Sequence, residues 1–325
     1  MNAHHFLVAC HGGINIALGK GVINLRPVDV IVNETPMQRW QALMDKAGAP
    51  FQQSWTYGAV AAQLGASVNR IEVRAGGETI ALAQGVERWC LRPLTLITMG
   101  PVWMGDVDAP TQAEVIRAMR AQLDGALIVT APDADSGAPC KAAGLKDVMT
   151  PATLADLALG EELRSRMTVK WRNRLTRAES AGLRVHRTKS LSHLEWLLRA
   201  DRAQQKRRRY RALPAVFTRA WVDSAPKSVL HLTAGPPDDP IAAMLFLTHG
   251  TGATYHIGWT SAAGRAQSAH NLILAEGAAR LARQGVRRLN LGLIDTETAP
   301  GLARFKLGAG ARPIRTGGTW LGWSW

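Results

Sequence analysis

The stretch from Ile241 to Ile294 limits the fold more than any other. It reads as two apolar runs of strand length, IAAMLFLTH and ATYHIGWTS, with Gly250 and Gly252 between them. A helix, HNLILAEGAARLARQG (270–285), follows and stops at Gly285, and RRLNLGLI (287–294) returns as a strand. A third strand, SVLHLTAG, precedes the pair across the turn Pro236-Pro237-Asp238-Asp239-Pro240. Strands laid side by side that then feed one long helix imply a sheet with helices packed on it, so the expected class is α+β.

The first half shows the same grammar. PVDVIVN (27–33) has strand character, and Pro36 opens a helix that ends near Gly48. FQQSWTYGAVAAQLG forms a second helix with Phe51, Trp55, Ala59 and Leu64 near one face. NRIEVRAGGETIALAQGVERWC alternates about Gly76-Gly77 as a hairpin, and LTLITMGPVWMG is a strand stopped at Gly100-Pro101. TQAEVIRAMRAQL carries the helical period behind a capping box, Thr111 with Glu114. ALIVTA (126–131) and ATLADLAL (152–159) are strands with a short helix near Lys141 between them. The second half opens on a helix over 163–182 with Met167, Trp171, Leu175 and Ala178 on one stripe, followed by strand LRVHRTK and a long helix ending in KRRR. APGLARFKLGAG is a short helix, and the chain closes on a strand with Trp320, Trp323 and Trp325. The halves look like two copies of one unit. The expected organisation is an extension over 1–26, interrupted by glycine and without a period, one domain over 27–162 and a second over 163–325.

Charge divides these halves. Residues 1–162 hold 12 basic and 16 acidic side chains, whereas 163–219 alone hold 17 basic and 3 acidic, as large an excess as the whole chain's net +14. Such a segment attracts polyanions, and Lys170, Arg172, Arg174, Lys206, Arg207, Arg208, Arg209 and Arg211 are its candidate contacts. Cys10, Cys90 and Cys140 are far apart with no CxxC pair, and the histidines, His4 and His5 included, show no ligand spacing, so neither a disulfide framework nor a metal is expected. No run of about 20 apolar residues exists to span a membrane, and the N-terminus lacks a basic region before its short apolar patch. The expected location is the cytoplasm. There is no GxSxG, Walker A, HExxH or GxGxxG after a strand, which leaves hydrolase, kinase and dehydrogenase readings unsupported.

The ordered words from 241 to 315, with NLGLID and then GLARFKLGAG, resemble the second half of the FemAB-like aminoacyltransferases and their relatives with a BioF2-like acetyltransferase domain. PFQQSWTYGAV (50–60) is similar to that family's opening helix, MGPVW (99–103) to its strand-ending Gly-Pro-Val, and LRSRMTVKWRNRLTRAESAGLRV (163–185) to the basic helix that starts its second half. The resemblance spans about residues 36–315 and implies two tandem GNAT-like domains, each a mixed, mostly antiparallel sheet flanked by helices. It departs from the family twice. The helical arm of some tRNA-using members has no room here, and of the GNAT pyrophosphate loop only Gly264 and Arg265 persist within Ser261–His270.

The implied chemistry is acyl transfer to an amine, which needs a donor held by its phosphates and hydrogen-bond donors for the developing oxyanion. Phe305-Lys306 matches the family's Phe-Lys pair, so the resemblance gives Lys306 the role of steadying the donor or the tetrahedral intermediate. Asp295, after strand NLGLI, is the first acidic candidate for handling the amine proton, and His256 is a further base. Strand alternation places Tyr255, Ile257 and Trp259 on one face and His256 on the other, so Tyr255 and Trp259 are expected to wall an acceptor pocket. Arg265, Asn271 and the first turn of helix 270–285 are expected to hold donor phosphate, with Arg304 and Phe305 on the same side. No permanently bound cofactor is expected. The donor is acyl-CoA or aminoacyl-tRNA, the latter with an RNA contact and a peptide amine of peptidoglycan-precursor type as acceptor. A non-catalytic nucleic-acid-binding protein using 163–219, and a membrane-surface protein, are the readings of other classes.

Overall fold

The computed structural model describes residues 28–89 and 92–323. The extension 1–26, His4, His5, Cys10, Cys90 and Trp325 lie outside them. Strands β1 (Val28–Val32), β2 (Val68–Ala75), β3 (Glu78–Trp89), β4 (Pro93–Thr98), β5 (Val102–Trp103), β6 (Ala126–Thr130) and β7 (Lys146–Met149) alternate with helices α1 (Met37–Ala47), α2 (Trp55–Gln63), α3 (Ala109–Ala121) and α4 (Gly137–Ala142). Then follow β8 (Thr153–Ala158), α5 (Leu163–Arg166), α6 (Val169–Ser180), β9 (Val185–Thr188), α7 (Leu191–Arg208), α8 (Ala215–Ser224), β10 (Val229–Ala234), β11 (Ala242–His249) and β12 (Gly252–Thr260). The chain ends through α9 (Ala262–Ala266), α10 (Ala269–Arg283), β13 (Arg288–Leu293), α11 (Pro300–Gly308), β14 (Arg312–Arg315) and β15 (Thr319–Trp323).

The duplication is one of topology. One sheet has the order β1-β2-β3-β4-β6-β15-β7, and the other β14-β8-β13-β12-β11-β10-β9, which is the same series read from the opposite end. In each, three antiparallel strands lead through one helix to a parallel neighbour: β4 to β6 across α3, and β12 to β13 across α10. A boundary at residue 162 does not divide the sheets. β8, which precedes that boundary, is inserted between β14 and β13 of the second sheet, and β15 is inserted between β7 and β6 of the first. Each unit therefore lends one strand to the other, and each borrowed strand satisfies the open ladders of the two strands it separates.

Three local expectations are replaced. Helix α3 starts at Ala109, and its cap is Asp108, whose Oδ1 accepts the Thr111 N–H at 2.8 Å; Pro110 sits in the first turn, where no N–H is needed. The single helix over 163–182 is two, α5 and α6. Thr168 is extended and donates its N–H to Gly308 O, which ties the first turn of α6 to the end of α11. Phe51 lies in a short 3-10 turn ahead of Ser54, the true cap of α2, which accepts the Tyr57 N–H.

The second sheet is covered on both faces. On one, Trp171 and Leu175 of α6 and Ile273, Leu274, Ala278 and Leu281 of α10 pack over Leu230, Leu232, Met244, Phe246 and Leu289. Gly277 sits so close to this face that a Cβ there would lie 2.8 Å from the Phe246 ring. On the other face Leu194, Leu197 and Leu198 of α7 and Phe217 and Trp221 of α8 join Phe51 and Val60 from the first half. This second cluster is the seam between the halves. The basic segment is split by the same arrangement: Lys170, Arg172 and Arg174 are on α6 and Lys206 to Arg211 at the end of α7, so it is not one continuous patch.

Candidate active site

The two parallel pairs differ in one respect. β4 and β6 stay paired over five residues, Leu94–Thr98 with Ala126–Thr130, whereas β12 and β13 pair only at Gly252–Thr254 with Arg288–Asn290 and then part. The parting has local causes in both strands. Between Leu245 and Phe246 the register of β11 against β12 shifts, leaving His256 as an extra residue. On β13, Gly292 takes φ +79°, and its N–H is held by Asn290 Oδ1 at 2.6 Å. The result is a wedge-shaped opening in the second sheet alone.

Lys306 reaches the parted end of β13 from α11. It is 5% exposed, and its Nζ donates to Leu293 O at 2.7 Å. Burial pulls its pKa down to about 8. Phe305 holds the other side of α11, with its carbonyl accepting Trp171 Nε1 at 3.0 Å and its ring centroid 6.0 Å from those of both Trp171 and His270. His270, in the first turn of α10, binds Trp259 O through Nε2 at 2.7 Å; burial, chiefly, lowers its pKa to about 4. Asn271, next along α10, is 5% exposed, and its Nδ2 has no hydrogen-bond partner. Ser268, left-handed at φ +57°, gives α10 no side-chain cap, so the positive end of the helix faces this mouth open.

The turn before α10 is the short helix α9 rather than an open phosphate loop. Ser261 caps it by accepting the Gly264 N–H at 3.1 Å, and Arg265 is turned back onto Thr260 O at 3.0 Å. Gly264 is fixed by contact: a Cβ there would fall 2.4 Å from Ile241 O. The end of α7 reaches the same mouth. Gln204 Nε2 bonds Gly258 O and Tyr210 Oη, Tyr210 donates to the buried carboxylate of Asp201, and the charge of Arg208 bears on both His270 and Tyr255.

Arg265 lies in the turn before α10, Asn271 in the first turn of α10, and Phe305 of α11 beside His270, with Lys306 on Leu293 O and Arg304 exposed on α11. The other candidates are placed elsewhere. Asp295 is half-buried, its oxygens accept from Glu297 N, Thr298 N and the Thr298 hydroxyl, and those bonds hold its pKa down, so it secures a turn. His256 binds the Thr218 hydroxyl at 2.8 Å in the seam beside Phe51, with burial lowering its pKa to about 4. The extra residue in β12 breaks the expected alternation: Tyr255 packs by Phe246 on the α10 face, while Ile257 and Trp259 face α7, Trp259 edge-on to Trp196. Tyr255 and Trp259 therefore wall no common pocket. His270 gave no signal beyond its place at a helix start.

The segment of residues 165–307, which contains the wedge and Lys306, matches the family described as an acetyltransferase (GNAT) domain. The chain as a whole has a tandem GNAT fold. Its fold is similar to that of FemX (TM-score 0.74, 13% identity, 90% of this chain and 96% of that one). A tandem GNAT protein from the clavulanic acid biosynthesis pathway superposes with a TM-score of 0.53 at 13% identity over 91% of this chain and 98% of that one. L-PGS from Bacillus licheniformis does so at 0.52 and 12% over 87% and 90%. No curated protein matches this chain by sequence.

Proposed function

We propose that this GNAT protein transfers an acyl group from acyl-CoA to an amine, using the wedge between β12 and β13. The observation that supports the reading is the buried Lys306 ammonium held by Leu293 O at the end of β13, beyond its pairing with β12, with the neighbouring Phe305 ring beside His270 in the first turn of α10. A donor lying along the mouth places its phosphates at α10, Arg265 and Arg208, and its acyl carbonyl between the strands. Main-chain N–H groups of β12 freed by the parting, with Lys306, then face the carbonyl oxygen as it becomes an oxyanion. The neutral amine adds to the carbonyl carbon; the C–S bond breaks as the C–N bond becomes an amide, and the amine proton leaves with the thiolate as a free thiol. The setting is the cytoplasm, where such donors are made, and the nearest functional type is the BioF2-like acetyltransferase.

The test is release of free thiol from acetyl-CoA with a panel of amines, wild type against Lys306→Ala. No thiol from any acyl-CoA sinks the reading. A second reading, aminoacyl-tRNA as donor, draws on the cationic end of α7 at the same mouth. Filter binding of labelled aminoacyl-tRNA across a salt series, with acetyl-CoA as competitor, separates the two. Tight binding at physiological salt that favours charged over uncharged tRNA supports the second; displacement by acetyl-CoA supports the first.

A further inference from the structure

Asp201, on α7, is 6% exposed and lies inside the basic segment 163–219. Its oxygens nevertheless accept from neutral groups, Gln205 Nε2 at 2.6 Å and the Tyr210 hydroxyl at 3.1 Å. Among the described residues no cation is ion-paired with it. Lys206, Arg207, Arg208 and Arg209, which follow it in the chain, are all exposed. A carboxylate taken out of water ordinarily keeps a cation beside it, because burial without one is costly. This one is placed to meet a positive charge that arrives from outside.

The same cluster reaches the parted strand. Gln204 Nε2 donates to the Tyr210 hydroxyl at 3.1 Å and to Gly258 O at 3.2 Å, and Gly258 lies beyond Thr254, the last residue of β12 paired with β13. Tyr255 fills the space that a Cβ at Gly258 would take; burial raises its pKa, and Tyr210 and Asp201 raise it further. The Asp201–Tyr210 pair therefore stands at the open edge of β12, as Lys306 stands at the parted end of β13. Tyr210 is the outward member, 39% exposed. Its oxygen donates to Asp201 and accepts from Gln204, which leaves one lone pair for an incoming donor. Burial, chiefly, raises the Tyr210 pKa, so the phenol passes a proton on and does not hold a charge itself.

An aliphatic amine arrives at neutral pH as an ammonium ion, which has no lone pair with which to attack a carbonyl. Asp295 secures its own turn and His256 binds Thr218 in the seam, so that proton is unassigned in the reading above, on which this inference rests. We propose that Tyr210, backed by Asp201, takes the proton from the acceptor's ammonium. The ammonium N–H donates to the free lone pair of Tyr210. Its proton moves to the phenol oxygen as the phenol's own proton moves to Asp201 Oδ1, leaving a neutral amine and a neutral Asp201. The amine then adds to the acyl carbon, and once the thiol has left, Asp201 returns its proton through Tyr210 to water. Tyr210 is the catalytic residue of this step, and Asp201 and Gln204 are positioning residues.

The experiment uses the full chain with acetyl-CoA at pH 7 and three primary amines, read as free thiol. Ethylamine is almost wholly ammonium at that pH, glycinamide partly so, and 2,2,2-trifluoroethylamine almost wholly neutral. Tyr210→Phe, which keeps the ring and removes the relay, is expected to lose about 10²-fold in kcat/KM with ethylamine, less with glycinamide, and under about twofold with trifluoroethylamine. The acetyl-CoA KM is expected to stay at the wild-type value. Asp201→Asn is expected to show the same gradient, which is a ratio within one preparation and so does not depend on how much of that variant folds. An equal loss with all three amines, or no loss, overturns the proposal and leaves acyl transfer standing. No thiol from wild type with any of the three also overturns it, and if no pair of acyl-CoA and amine releases thiol, the acyl-transfer reading falls with it.

Discussion

Lys306 spends one of its three N–H donors on Leu293 O at 2.7 Å, and it does so at the strand end where β13 has already left β12. The ammonium is therefore fixed in place by main chain, with donors left for a reacting group and, among the described residues, no carboxylate in an ion pair with it.

Removing it tests the role directly. Lys306→Ala is expected to lower kcat by about 10² to 10³, as loss of one oxyanion donor does elsewhere, with the fold retained. Burial has lowered the Lys306 pKa to about 8, so the protonated form that steadies an oxyanion is lost as pH rises through that value. Wild-type kcat should fall above pH 8, and Lys306→Ala should lack that limb. A wild-type rate in the variant, or the same limb in both, removes Lys306 from the mechanism.

Asn271 separates stability from function. Its Nδ2 is buried and unpartnered, a cost that an apolar side chain of similar size does not carry. Asn271→Leu is expected to raise the melting temperature by a few degrees while raising the donor KM about tenfold. A lower melting temperature with donor KM intact would make Asn271 a packing residue.

Four of the described histidines bear on the acid limit of the fold. His231, His249, His256 and His270 each have pKa values lowered to about 4, chiefly by burial. Between pH 6.5 and 4 the unfolded chain binds protons at these sites and the folded chain does not, so stability falls as pH drops through that window. Melting temperatures measured from pH 7 to 4 should decline steeply, and His256→Asn should flatten part of the decline. A flat profile would mean the imidazoles are solvated.

Glu72 anchors the first sheet. Its carboxylate is fully buried and bonded by Thr35, Arg39, Arg74 and Thr79; burial pushes its pKa up, but those bonds outweigh it and hold the group well below the usual range. Glu72→Gln is expected to cost about 3 kcal/mol, the lower end for breaking a buried pair, because Arg39 is 45% exposed. Chemical denaturation measures it, and a loss under 1 kcal/mol would show that solvent replaces the carboxylate.

Much of this arrangement was legible in residues. The helix over 270–285 and its flanking strands carry their own punctuation in Gly252 and Gly285, and Phe305-Lys306 is a local word that survived folding into the wedge. What failed was whatever depends on a partner strand. The extra residue at His256 exists only because β11 and β12 slip against each other, so alternation along β12 misassigned Trp259. The placement of β8 and β15 is set by which ladder lies open in the neighbouring sheet, a fact no window of sequence contains. Gln204 joins Tyr210 to Gly258 across the open edge of β12, and nothing local announces that meeting.

The exchange of β8 and β15 has a consequence for synthesis. The strand Thr319–Trp323 of the first sheet leaves the ribosome after every other described strand, and until it arrives β6 and β7 have no strand between them. The N-terminal half must wait, incomplete and with an open ladder, for the whole C-terminal half to be translated. A released chain that ends at residue 310 should therefore be cleaved by protease within the first half as readily as within the second, whereas a released chain that includes Trp323 should resist in both.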